Sequence, residues 1–316
     1  DESATGGEQP QFHAAVLRSL VDTLTLKPAR SNRHEDEVLR LLSSKHDELK
    51  LRAIELAGLW GLTNAGDQVV KIAEGDTTSL PMRSAAFHAL ARLNLKQSRE
   101  TLSRYASSKS KPLIRANAIE ALAAIETTVA AKEAVDMLRR TKLDSQTLAK
   151  VLNAFLQRKT GPDVLGKHLL TVRLNKDNAE ALLSALYAAG RSDEALVKPL
   201  NGIVGLTGKV PKFSREYLGK VVKEALARGN AKRGAVIFRS KKLSCVKCHK
   251  VGREGGVVGP NLTAIGSTLS VERITEELLW PQKQVKEGYT LLQVVTDDGK
   301  VHQGYQRQTR ESRKTG

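Results

Sequence analysis

Cys245-Val246-Lys247-Cys248-His249 is where this chain gathers its reactive side chains. Only two cysteines occur in 316 residues and both lie in this pentapeptide, so they form no disulfide framework. Two thiols separated by two residues can reach the two vinyl groups of one porphyrin. The adjacent histidine, rising from the same short turn, can then set an imidazole nitrogen on the iron. This is the spacing at which a c-type haem is attached. Two other chemistries use the same residue types. A closed zinc site needs four ligands, so His302 would have to join Cys245, Cys248 and His249. A thioredoxin-type redox pair wants a βαβ context, which the flanking sequence lacks.

The elements that must hold this turn can be read on either side. Ala231–Phe238 has a short helical pattern with Gly234 and Phe238 four apart on one face. Pro260, in Gly259-Pro260-Asn261-Leu262, lies eleven residues past His249, and Ser270–Leu279 is amphipathic and ends at Trp280-Pro281. This order resembles a class I cytochrome c, in which a first helix carrying a Gly and an aromatic crosses a later helix. The resemblance implies that the Pro260 carbonyl accepts a hydrogen bond from the second nitrogen of His249 and so fixes the ring. It makes Cys245, Cys248, His249 and Pro260 the cofactor-binding residues, with His249 the iron ligand of one covalent haem c. No residue is assigned a catalytic role.

A narrower resemblance rests on Arg233-Gly234, Phe238, Cys245–Val251 and Gly255-Gly256-Val257-Val258-Gly259-Pro260-Asn261-Leu262-Thr263-Ala264-Ile265-Gly266. Glu276, Leu278-Leu279-Trp280-Pro281, Glu287-Gly288-Tyr289 and Val294-Val295-Thr296-Asp297-Asp298-Gly299 extend it. Together they resemble the planctomycete–verrucomicrobial type of haem-binding domain over Gly229 to Tyr305. Such domains commonly follow helical repeats, and in many members a β-propeller resembling sugar dehydrogenases precedes both. Tyr289–Val295 and Lys300–Gln306 alternate about the Asp297-Asp298-Gly299 turn, which predicts a β-hairpin. The family's pattern then continues to a Ser-x-Met-Pro segment, whose methionine resembles the sixth iron ligand, and a final helix. No methionine follows His249, so a domain truncated at its C-terminal end is expected. His302 is the internal candidate for the distal position.

The longer N-terminal region repeats. Lys50–Ala57, Arg83–Leu90 and Arg115–Leu122 each place a basic residue, then Ala three positions on, then Ile54, Phe87 or Ile119. Those large apolar residues are separated by 33 and 32 residues, a period at which helix pairs stack. Weaker echoes follow at Ser145–Leu156 and Ala179–Ala189, with partner helices expected at Glu35–Leu42, Ser98–Tyr105 and Ala130–Arg139. Pro81 and Pro112 sit where the second helix of a pair begins, the position at which a missing N–H costs least. Asp47, Asp144 and Asp163 read as helix caps, Met82 and Met137 as packing residues, and His88 as a rim histidine. The pattern resembles HEAT-like repeats over Glu35 to Arg228.

The expected fold is therefore all-α: a HEAT-like α-solenoid followed by a small cytochrome c-like helical domain with a β-hairpin insertion. The divisions are a polar segment and lead-in helix at 1–34, repeats at 35–228 and the haem-binding domain at 229–316. The chain carries a formal charge of +17, and the last 88 residues hold +8 of it, about twice the density of the rest. Lys232, Arg233, Arg239, Lys241, Lys242, Lys247, Lys250 and Arg253 surround the pentapeptide with no acidic residue between them. Such a field suits an acidic redox partner protein or dehydrogenase domain. Aromatics are only 4% and no recognition motif is present, so nucleic acid is not the expected partner. No apolar run is long enough to span a membrane. Haem c is assembled outside the cytoplasmic membrane, so the resemblance implies a periplasmic or cell-surface protein whose signal peptide lies outside this chain. The expected function is electron transfer, alone or as the cytochrome part of a larger oxidoreductase. The alternatives are an open sixth site, for ligand binding or peroxidase-like chemistry, and a zinc-stapled repeat scaffold.

Overall fold

The computed structural model describes residues 8–26, 34–107, 109–206, 211–240, 243, 245–281, 283–286, 288–297 and 299–305. The chain is mostly helical, and its contacts divide it into two compact units. One comprises residues 1–137 with 153–155, the other residues 138–152 with 156–316.

In the first unit, α1 (Glu8–Leu26) precedes α2 (Glu35–Leu41), α3 (Asp47–Trp60), α4 (Gly66–Glu74), α5 (Leu80–Leu93), α6 (Lys96–Ser107) and α7 (Pro112–Ala123). The repeated segments are the helices α3, α5 and α7. α3 packs on α5 and α5 on α7, while α2, α4 and α6 lie against α3, α5 and α7 in turn. Ile54, Phe87 and Ile119 are fully buried, as are Ala53, Ala86 and Ala118 one residue before each. Small Ala beside a large apolar residue lets neighbouring helices approach closely and fills the gap that remains. This is the packing of an α-solenoid built from HEAT-like pairs.

The recurring basic residue has a structural purpose. Arg83 donates from Nε to the Ala73 carbonyl (2.9 Å), near the end of α4. Arg115 donates to the Ala106 carbonyl at the end of α6, and through Nη2 to the Glu133 carbonyl (3.1 Å) and Asp136 Oδ2 (3.2 Å). Ala73 and Ala106 each lie in a last helical turn, so each arginine supplies a donor to a carbonyl that a helix end leaves without an intrahelical partner. Pro81 and Pro112 stand in the first turn of α5 and α7, as their spacing predicts. Met82 and Met137 are buried, and His88 is a rim residue with Nε2 3.5 Å from Glu120 Oε2. Of the three aspartates read as caps, Asp144 alone caps, accepting from the backbone N (2.9 Å) and Oγ1 (2.8 Å) of Thr147. Asp47 and Asp163 lie inside the first turns of their helices, where the charge still meets the positive end of the dipole.

α8 (Thr127–Arg140) and α9 (Ser145–Leu156) run through the division between the units. The second unit continues with α10 (Gly161–Leu169), α11 (Lys176–Ala188), α12 (Glu194–Val204) and α13 (Arg215–Arg228). Buried Asn178 organises its start. Its amide donates to the carbonyls of Leu138 and Thr141 (both 2.7 Å), and its Oδ1 accepts from Leu143 N (3.1 Å). α10 and α11 both pack on α12. After Gly229 come α14 (Ala231–Arg239), α15 (Cys245–Cys248), β1 (Lys250–Val251), β2 (Glu254–Gly255), α16 (Ile265–Thr268), α17 (Val271–Leu279), β3 (Leu291–Val295) and β4 (Val301–Tyr305). The only sheets among the described residues are two antiparallel hairpins, β1–β2 and β3–β4. β3–β4 runs in register from Leu291↔Tyr305 to Val295↔Val301, where the alternation predicts it.

α13 packs against α17, so the last helix before Gly229 is joined by contact to the segment after it. Trp280, which caps α17, meets Phe213 (centroids 5.2 Å) and Tyr217 (6.1 Å) edge-on and donates from Nε1 to the Pro211 carbonyl (2.8 Å). α14 packs mainly on α15. The crossing of the first helix by a later one is not a principal contact here. The Gly234 face stands open, with no heavy atom within 4 Å of where a Cβ would lie.

Candidate functional site

Cys245–Cys248 forms a single helical turn, and His249 extends it by donating its backbone N–H to the Cys245 carbonyl (3.0 Å). α14 enters this turn with its N-terminus capped by Asn230, whose Oδ1 accepts from Arg233 N (2.9 Å). The loop from β2 to Leu262 then wraps the turn through backbone bonds. Gly256 N donates to Val246 O (2.9 Å), Gly259 N to Cys248 O (2.8 Å) and Leu262 N to Lys250 O (2.8 Å). A Cβ on Gly256 would collide with the Lys247 carbonyl, and one on Gly259 would lie 2.7 Å from Cε1 of His249. The imidazole therefore rests directly on the Gly259 backbone, a place only glycine leaves free.

His249 Nδ1 is 2.9 Å from the Pro260 carbonyl oxygen. A carbonyl only accepts, so in the neutral ring Nδ1 carries the proton and Nε2 the lone pair. Neighbouring Asn261 stiffens the loop through Oδ1, which accepts from Thr263 N (2.9 Å) and Oγ1 (2.6 Å). Both cysteines are free thiols, half-buried, and burial pushes each pKa above the ordinary thiol value; for Cys248 the neighbouring Cys245 adds to the rise. Cys248 Sγ lies 3.3 Å from the Tyr187 carbonyl, at the end of α11.

The surroundings carry little core of their own. Among the described residues after Gly229, Val301 is the sole buried hydrophobic. Val236 (70% exposed), Val257 (73%) and Leu278 (75%) project outward, and Ile237, Leu243 and Leu269 are exposed as well. Two free thiols with two residues between them, a histidine with one nitrogen tied back, and uncovered apolar side chains together fit a covalently held haem.

His302 stands on β4 opposite Val294 and is exposed. Among the described residues no three His, Cys, Asp or Glu side chains gather as a metal would require. The strand of His302 is bonded to the chain just after α9, with Val301 N donating to Gln157 O (3.0 Å). Of the basic residues around the turn, Lys232, Arg233, Lys247 and Arg253 are exposed, while Arg239 is paired with Glu254 (2.7 Å) just beyond the stretch. Lys241, Lys242, Glu287, Asp298 and Arg307–Gly316 lie outside the described residues. The part played by α11 was not legible beforehand, because no sequence pattern signals a backbone carbonyl that meets a cysteine sixty-one residues away.

No helix among the described residues is long and apolar enough to cross a membrane. No curated protein is significantly similar to this chain. The family model for HEAT repeats matches residues 35–123 and 67–153, a span that runs from α2 into α9, so the chain carries HEAT-like repeats there.

Proposed function

We propose that this protein transfers electrons through one haem c, held covalently by Cys245 and Cys248 and ligated by His249, with the HEAT-like repeats as a docking arm. The observation that carries the reading is the His249 Nδ1–Pro260 contact, which leaves Nε2 as the only lone pair the ring can give to iron. When bound, the haem supplies a reversible one-electron couple. Cys245 and Cys248 would each add S–H across one vinyl group, sulfur to the inner carbon and hydrogen to the terminal one, with no net oxidation. Gly259 and Pro260 hold the imidazole in a single tautomer and orientation. Exposed Lys232, Arg233, Lys247 and Arg253 would draw an acidic redox partner or dehydrogenase domain into a transient encounter. His302 is the internal candidate for the distal ligand. Because haem c is attached on the outer side of the cytoplasmic membrane, the reading includes export to the periplasm or cell surface.

The test is an absorption spectrum, oxidised and dithionite-reduced, of the chain made with the haem c maturation machinery. Cys245→Ala with Cys248→Ala serves as the control. A sharp low-spin α-band that survives denaturation in the parent and vanishes in the control supports the reading. Loss of that band in His302→Ala would assign the sixth ligand. A high-spin spectrum that responds to cyanide would replace electron transfer by ligand binding at an open position. A chain that takes up no haem ends the reading.

A further inference from the structure

We infer that the cofactor site is composite: the C-terminal end of α11, a helix outside the haem-binding segment, forms one of its walls, with Tyr187 as a positioning residue. The inference rests on the haem reading above and extends it. Cys248 Sγ lies 3.3 Å from the Tyr187 carbonyl, and α11 packs directly on α15. The vinyl carbon that forms the thioether would be one bond from this sulfur, so the macrocycle edge comes to the end of α11. Attachment consumes the thiol hydrogen without orphaning the carbonyl, because Tyr187 O already accepts from Gly190 N (2.9 Å).

The same helix end is braced from the hairpin. Gly190, at φ +69°, has the Tyr305 hydroxyl 2.8 Å from where a Cβ would stand, so both its backbone conformation and its surroundings demand glycine. Tyr305 meets Tyr289 edge-on at 6.3 Å. The hairpin is anchored by Val301 N to Gln157 O (3.0 Å) and Lys159 N to Gly299 O (3.2 Å), following α9. Three of the chain's five tyrosines, 187, 289 and 305, thus form a connected set reaching from the attachment cysteine to the hairpin. A segment with one buried hydrophobic among its described residues takes its wall from the helical array.

Hydrogen exchange on the full chain tests this, comparing haem-loaded protein with the Cys245→Ala, Cys248→Ala chain. Amides of residues 186–191 are expected to exchange about tenfold more slowly when haem is attached, while those of 116–123 stay unchanged. In loaded protein, Tyr187→Ala is expected to shift the reduction potential and the Soret maximum. Tyr187→Phe, which keeps the ring, and the remote Tyr105→Ala should stay close to the parent. Attached haem with unchanged exchange at 186–191 and an unchanged potential in Tyr187→Ala overturns the composite site but leaves the haem reading intact. A parent chain that carries no haem overturns both.

Discussion

His249 Nδ1 donates to the carbonyl of Pro260 across 2.9 Å, and the ring it fixes lies flat on Gly259, where a Cβ would come within 2.7 Å of Cε1. The tautomer and the orientation of the imidazole are therefore set by backbone atoms, before any cofactor arrives. Gly259→Ala should displace the ring and cost about 1–3 kcal/mol, the usual range for overpacking. Gly266→Ala on α16, where a Cβ meets open space, should not destabilise the chain. Urea unfolding of the haem-free chain compares the two, and equal midpoints would show that the ring does not depend on Gly259.

The solenoid makes a second prediction through its repeated apolar residue. Phe87 is fully buried between α3 and α7, so Phe87→Ala should cost about 3–5 kcal/mol. His88→Ala, at the neighbouring rim position, should stay within about 0.5 kcal/mol. Thermal unfolding monitored by circular dichroism separates them.

Arg115 is expected to matter more than an ordinary surface arginine. Its guanidinium satisfies the Ala106 and Glu133 carbonyls and pairs with the carboxylates of Glu133 and Asp136. Arg115→Met should cost about 2–3 kcal/mol, less than fully breaking a buried pair because both carboxylates still reach water. Chemical denaturation that finds a loss below about 0.5 kcal/mol would mean these bonds are replaced by water without penalty.

Asp144 predicts a pH dependence. Bonds from the backbone and hydroxyl of Thr147 hold its carboxyl below the ordinary value in the folded chain. A depressed folded pKa contributes stability above the unfolded pKa of about 4, and that contribution is lost as pH falls through the folded value. Asp144→Ala should therefore cost about 1 kcal/mol near neutral pH and progressively less in acid. A cost that stays constant down to pH 2 would show that the cap works without its charge.

The charge around the turn bears on the proposed electron transfer. Oxidation of the reduced, haem-loaded chain by ferricyanide, an anion, should slow as salt is added. Lys247→Glu with Arg253→Glu should lower the rate at low salt by about tenfold and flatten the salt dependence. Stopped-flow absorbance measures both, and a rate that ignores the two substitutions would remove these residues from the encounter.

Much of this architecture was legible from local spacing. The period of 32–33 residues located α3, α5 and α7, because each helix repeats the same small-beside-large pattern to fill the same gap. Cys-x-x-Cys-His occupies one helical turn, so its geometry follows from five consecutive residues. The hairpin likewise follows from alternation about a turn. Less legible was the reason a basic residue recurs: Arg83 and Arg115 reach carbonyls of the preceding helix, and a carbonyl has no residue type to betray it. The helix caps show the same limit, since Asp47 and Asp144 look alike in sequence and only one has a donor three residues on in reach.

What the amino-acid sequence determined by itself was periodic or contiguous: the helical class, the stacked repeats, the reactive pentapeptide and the glycine-rich loop that follows it. What the tertiary structure decided was every meeting between distant backbone atoms. It seated Cys248 on the end of α11, set Tyr305 against Gly190 and joined α13 to α17. The physical reason is that side-chain periodicity encodes which face of an element is buried, whereas the choice of partner depends on the shape that all the packed elements make together.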